Sequence, residues 1–148
     1  MSKIPYWIYF LSNFLYKLKV PVVPMIFVWI NRILWGAYIP ASCIIGKGTR
    51  FGYGGSSVVI HARAIIGKNC NIGPCVTIGG RSKIHEVPKI GNRVYIGSGA
   101  RVLGNVVIGD DVVIGANAVV IKDVPSGCIV VGIPAKIIKQ GIRMEDYV

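Results

Sequence analysis

The chain holds only two histidines, His61 in "VVIHARAIIG" and His85 in "GGRSKIHEVP". Imidazole is the usual group for taking a hydroxyl proton near neutral pH, so these two are the candidates for a general base. His85 lies in a polar excursion between Ile78 and Ile90 that interrupts an otherwise regular apolar text, and such excursions tend to carry function. Glu86 follows it directly, but neighbours on an extended chain point apart, so this carboxylate is not expected to orient His85. His61 follows a second irregularity, "FGYGGSSVVI". A histidine-built zinc site needs three imidazoles, so no metal is expected. Cys43, Cys70, Cys75 and Cys128 form no CxxC and no other metal spacing, and no cleavable signal peptide is recognisable, which points to a reduced, cytoplasmic compartment.

These residues are carried by a six-residue beat. Ile-Gly recurs at Ile45, Ile66, Ile72, Ile78, Ile90, Ile96, Ile108 and Ile114, at spacings of 21, 6, 6, 12, 6, 12 and 6. All are multiples of six except for one slip of three, between Phe51 and Ile60. The fifth residue of a unit is also apolar and mostly small, as at Cys43, Cys70, Val76, Ala100 and Ala118. Six residues make about 1.7 turns of α-helix, so no helix can hold these positions on one stripe. A two-residue strand and a tight corner can, with the Ile filling a core, the Gly allowing the bend and the fifth residue lining the next corner. Three units close a triangular coil, and stacked coils share backbone hydrogen bonds at about 4.8 Å per coil. The expected fold is therefore mainly β, a parallel β-helix of about five coils with an aliphatic core that takes up Cys43 and Cys70. Residues 18 apart should stack, so Gly80, Ser98 and Ala116 are expected to form a column of small residues along which a long ligand could reach the backbone.

The chain has 148 residues, 19 of them Gly, with 53% hydrophobic and 16% charged residues, which suits one folded domain rather than disorder or a helical bundle. Its net charge of +11 calls for a polyanionic ligand or surface, but no basic run or nucleic-acid-binding motif is present, and nucleic acid is not an expected partner. Residues 1–38 read as a helical leader, 39–140 as the β-helix and 141–148 as a tail. The leader carries all three Trp (Trp7, Trp29, Trp35). Its apolar runs are cut by Lys17, Lys19, Pro21, Pro24, Asn31 and Arg32, too often for a membrane span of about 20 residues, and predict two short helices at about 4–18 and 24–35. Such helices either pack on the β body or a neighbouring subunit, or rest on the inner membrane surface, where aromatic and basic residues interleave in this way.

The segments "IGKNCNIGPCVTIGG", "PKIGNRVYIGSGARVLGNVVIGDDVVIGANAVVIKDVP" and "VVGIPAKIIK" resemble the hexapeptide-repeat acyltransferases, in the branch of the serine acetyltransferases and polysaccharide O-acetyltransferases. The resemblance implies a left-handed β-helix, an exception to the right-handed crossover rule, and a homotrimer with acetyl-CoA between subunits. It implies CoA contacts at Ser98, Ala116, Ile121, Lys122 and Lys139, and a catalytic histidine on the loop before "PKIG", which is His85; His61 stays the second candidate for the base. Tyr53 and Arg81 lie near the implied acceptor site. Two departures bear on the acceptor. Serine acetyltransferases carry Asp-His where this chain has Tyr53-Gly54, and Arg-His where it has Glu86-Val87. The expectation is therefore acetyl transfer to a sugar hydroxyl in surface polysaccharide biosynthesis, on a free or lipid-linked acceptor. The alternatives are a serine O-acetyltransferase and a noncatalytic trimeric scaffold.

Overall fold

The computed structural model describes residues 4–147. Two helices come first, α1 (Ile4–Lys17) and α2 (Val23–Trp35), separated by a turn at the prolines and ended at Gly36, whose positive φ closes α2. Four complete coils follow. The first consists of β1 (Ile44–Ile45), β2 (Arg50–Phe51) and β3 (Val59–Ile60); the second of β4 (Ile65–Ile66), β5 (Asn71–Ile72) and β6 (Thr77–Gly79). The third consists of β7 (Lys89–Ile90), β8 (Tyr95–Ile96) and β9 (Arg101–Leu103); the fourth of β10 (Val107–Ile108), β11 (Val113–Ile114) and β12 (Val119–Val120). The last turn opens into β13 (Cys128–Val131), against which β14 (Lys136–Gln140) folds back antiparallel. The coil count is four rather than five, because the turns at Tyr38 and Val124 contribute only single bridges.

The coils stack as three parallel sheets. Face 1 has the order β1-β4-β7-β10, face 2 β14-β13-β11-β8-β5-β2, and face 3 β12-β9-β6-β3. All eight isoleucines of the beat are buried, and so are the fifth-position residues from Cys43 to Val124. Together they form one continuous core, in which burial pushes the Cys43 thiol up to about 12 and raises that of Cys70 as well, so both fill space rather than react.

The glycine of the beat works differently from the expected bend. A Cβ on Gly67 would lie 2.3 Å from the carbonyl oxygen of Gly91, and one on Gly97 would lie 2.6 Å from the amide nitrogen of Ala116. These glycines let successive coils approach. The left-handed conformation of the bend falls two residues later, on Asn69, Cys75, Arg93, Asp111 and Asn117.

The helices pack on the first coil. Tyr9 is buried, donates through its hydroxyl to Cys43 O at 2.7 Å and accepts from Ile45 N at 3.1 Å. Ser12 donates to Pro24 O and Asn13 to Ala41 O. Polar groups of α1 thus face the solenoid and α2.

Candidate active site

The register places the implicated residues on two different edges of the triangular solenoid. On face 3, Ile60 pairs with Ile78, Ile78 with Val102 and Val102 with Val120. Where this face turns into face 1, Ala62, Gly80, Gly104 and Lys122 therefore follow one another from coil to coil, beside His61, Gly79, Leu103 and Ile121. On face 2, Ile72 pairs with Ile96, Ile96 with Ile114 and Ile114 with Val130. Where it turns into face 3, the stack is Pro74, Ser98, Ala116 and Gly132.

The expected column of Gly80, Ser98 and Ala116 does not form. Ile78 pairs with Val102, 24 residues on, because the excursion between β6 and β7 adds one hexad's length to the coil. The added residues move Gly80 to the first edge and leave Ser98 above Pro74. Ser98 and Ala116 do share an edge, and both are exposed.

The first edge gathers both histidines. An added Cβ on Gly80 would lie 3.7 Å from His61 Cδ2, so the absence of a side chain there opens the space in front of that ring. Arg63, which sequence reasoning passed over, joins the two histidines. Its backbone N–H donates to His61 Nδ1 at 3.1 Å, its guanidinium Nη1 lies 2.9 Å from each ring nitrogen of His85, and its Nη2 donates to His85 O at 2.5 Å. Equidistant from the two ring nitrogens, the guanidinium nitrogen lies over the face of the His85 ring and holds the imidazole in place without selecting either nitrogen. His61, accepting at Nδ1, carries its proton on Nε2 in the neutral ring, and Nε2 is the nitrogen on the Gly80 side. The edge therefore offers one outward donor, His61, and beside it a second imidazole, His85, held under Arg63. Arg81 continues it, its Cβ 3.1 Å from where a Cβ on Gly104 would stand. No sequence motif marked Arg63; only the return of the excursion across the end of β3 brings His85 to it.

The second edge holds Tyr53. With Gly52, Gly54, Gly73, Pro74, Tyr95 and Ser98 it lines a groove of about 440 Å³, and the residue is 84% exposed. Gly54 beside it sits at φ +69°, and a Cβ there would meet the Trp35 indole at 2.4 Å. The place that the resemblance gives to a histidine is thus filled by the leader's tryptophan. Lys139 is on β14, opposite Ile129 on face 2, so it stands on neither edge. It lies over the Tyr147 ring at 5.2 Å, and a hydrogen bond to Tyr147 raises its pKa. Lys136, opposite Val131, stands nearer along the strand to the edge of Ala116. Among the described residues no group of three metal-ligating side chains occurs.

Residues 88–122 match the family described as bacterial transferase hexapeptide (six repeats). The chain is similar to a serine acetyltransferase of Synechococcus elongatus, 41% identical over 137 residues, which are 90% of this chain and 56% of the relative. Among solved structures it resembles serine acetyltransferase of Brucella abortus in complex with coenzyme A, with a TM-score of 0.87, 29% identity and coverage of 93% of this chain and 55% of that one. It also resembles soybean serine acetyltransferase complexed with serine, with a TM-score of 0.84, 32% identity and coverage of 90% and 56%. The chain thus spans about half the length of these relatives, and its solenoid has the left-handed coil of that fold.

Proposed function

We propose that this chain, which belongs to the hexapeptide-repeat acyltransferases, moves an acetyl group from acetyl-CoA to a hydroxyl. The observation that carries the reading is the placing of His61, His85 and Lys122 along one edge of a solenoid shared with a coenzyme A-bound serine acetyltransferase. Acetyl-CoA would supply the activated acyl group. His85, held by Arg63, accepts the proton of the acceptor hydroxyl as its oxygen attacks the acetyl carbon, and returns that proton to the coenzyme A sulfur as the thioester C–S bond breaks. His61 Nε2–H, facing the open space at Gly80, donates to the carbonyl oxygen as negative charge develops there. Ser98, Ala116 and Ile121 offer small or apolar contacts to the pantetheine arm, and Lys122 a cation to its phosphates. Lys139 belongs to this set only on the strength of the resemblance.

A homotrimer accounts for the division of the site between two edges. Three copies around an axis parallel to the solenoid would set the Ser98–Ala116 edge of one against the His61–Lys122 edge of the next, enclosing the cofactor between subunits. Tyr53 and Arg81 would then reach the acceptor from opposite sides.

The acceptor is read in two ways. L-serine is favoured by the relatives, which are serine acetyltransferases. A sugar hydroxyl, free or lipid-linked, is favoured by one observation, the tight Trp35–Gly54 contact that excludes a histidine beside Tyr53. The relatives weigh more, and serine O-acetylation is the leading form of the proposal. A cytoplasmic setting, with peripheral contact at the inner membrane face, suits either acceptor. The test is calorimetric titration with acetyl-CoA, followed by coenzyme A release on addition of L-serine or of a sugar panel. Binding at one acetyl-CoA per chain with release on serine is expected; release only on a sugar reverses the order of the acceptors. Absence of binding would leave a noncatalytic scaffold.

A further inference from the structure

The leader helices are amphipathic in the reverse sense for a water-exposed hairpin. The inward side of α1 carries Tyr9 and Asn13, which bond to the solenoid, and Ser12, which bonds to Pro24 O of α2, and Asn31 of α2 is buried. The opposite face of α1 presents Trp7, Phe10, Leu11 and Phe14, continued by Leu18 just past its end, each more than 40% exposed. On α2, Ile26, Trp29 and Ile33 follow at helical spacing and are at least 50% exposed, as is Val22 just before the helix. Steps of three and four residues put each set on a single stripe. Two apolar stripes that point away from the molecule's own core need a covering partner.

The charges beside these stripes say which. Lys17, Lys19 and Arg32 are exposed on the helices and the turn between them. Lys17, Lys47 and Arg50 share one groove of about 590 Å³ with Trp7 and Phe10, and Arg32 shares another, of about 510 Å³, with Met25 and Trp29. Residues 1–85 hold ten Lys or Arg and no Asp or Glu; every carboxylate lies at Glu86 or beyond. A second copy meeting this face with the same face would bring like charges together. A protomer alongside about a parallel axis would offer its own basic end, not its acidic one.

We propose that the outward face of α1 and α2 docks this protein on an anionic lipid bilayer, with Trp7, Phe14, Trp29 and Ile33 inserted at the headgroup level and Lys17, Lys19 and Arg32 on the lipid phosphates. The helices lie in the plane of the surface. They have 14 and 13 residues, and no described helix is long and apolar enough to cross a membrane. Aromatic and aliphatic residues on one side with basic residues at the flanks is the arrangement of interfacial helices, and each cation near such a surface strengthens binding about fivefold. The proposal does not rest on the acetyl-transfer reading, since no residue of either solenoid edge takes part in it.

Flotation of the full chain with phosphatidylcholine vesicles, with and without phosphatidylglycerol, tests this. The unmodified protein is expected to float with the anionic vesicles and to be released as salt is raised. Joint Lys17→Glu, Lys19→Glu and Arg32→Glu should weaken this by roughly a hundredfold or more, from three lost cations at about fivefold each. Trp7→Ser with Trp29→Ser should reduce flotation while leaving the native mass by light scattering unchanged. These side chains are exposed, and the salt series on the unmodified chain needs no variant at all. Failure to float with anionic vesicles, or flotation indifferent to both salt and charge reversal, overturns the proposal. A fall in native mass for the tryptophan variant would also overturn it and make the face a contact between copies.

Discussion

Arg63 is the residue whose role no sequence pattern announced. His61 and His85 stand 24 positions apart in the chain, and neither has a carboxylate among its hydrogen-bond partners. What holds them is one arginine, through its backbone to the first and its guanidinium to the second. It is a positioning residue, since it acts on the acceptor hydroxyl only through His85. Arg63→Met is expected to lower kcat by about 10- to 100-fold, the usual scale for a group that orients a reacting one, with little change in KM for acetyl-CoA. Arg63→Lys, which keeps a donor, should recover part of the loss. His85→Ala should cost at least about a hundredfold, and near-normal turnover would transfer the base to His61. Both histidines were legible in the sequence as candidates because there are no others. Their meeting at Arg63 was not, because it depends on the path by which the excursion returns across the edge.

The excursion between β6 and β7 is the element on which the site depends. It lengthens the coil by six residues, carries Arg81 and His85 out over the edge, and returns to face 1 in register, with Ile66 opposite Ile90. Deleting residues 81–86 would restore a spacing of six between Ile78 and Ile90 and so leave the Ile ladder unbroken. The deletion variant should fold with a thermal midpoint within a few degrees of the parent, since an exposed loop adds little stability, and should lose turnover entirely. A large drop in midpoint would mean that the excursion braces the solenoid. The beat itself was fully legible: every Ile-Gly isoleucine is buried where the spacing put it. The stacking partner was misjudged at Gly80 because pairing follows the path of the chain around the coil, and an insertion of one hexad shifts every downstream neighbour without disturbing the periodicity. The role of the glycines was misjudged for a similar reason, since the atoms they must avoid belong to the next coil.

At the scale of the molecule, the charges are laid out along the solenoid axis. The helical end is basic without exception, and the carboxylates gather towards the other end, where Asp111 accepts from Nε of Arg93 on the coil before, at 3.0 and 3.1 Å, and from its Nη2 at 2.7 Å. These hydrogen bonds hold the Asp111 carboxyl below the usual aspartate range. A carboxyl depressed in the folded state adds stability above its unfolded value, near 4, and loses it as pH falls through the folded value. Asp111→Asn should therefore lower the thermal midpoint slightly at pH 7, the pair being partly exposed. The deficit should shrink as pH drops below about 4. A deficit that does not vary with pH would mean that packing, not charge, joins these coils.

The sequence by itself determined the solenoid, because a six-residue period with a large and a small inward residue has no other way to bury both. It also determined the two helices, through their apolar runs and the prolines between them. Only the tertiary structure decided which residues face one another across coils, since a chain wound in a helix measures distance by turns and not by residues. It alone decided which side of each leader helix is outermost. An amphipathic pattern defines a stripe, but whether the stripe turns inward depends on what the solenoid offers it. Here the solenoid offers backbone carbonyls to Tyr9 and Asn13 and leaves Trp7 and Trp29 to the outside.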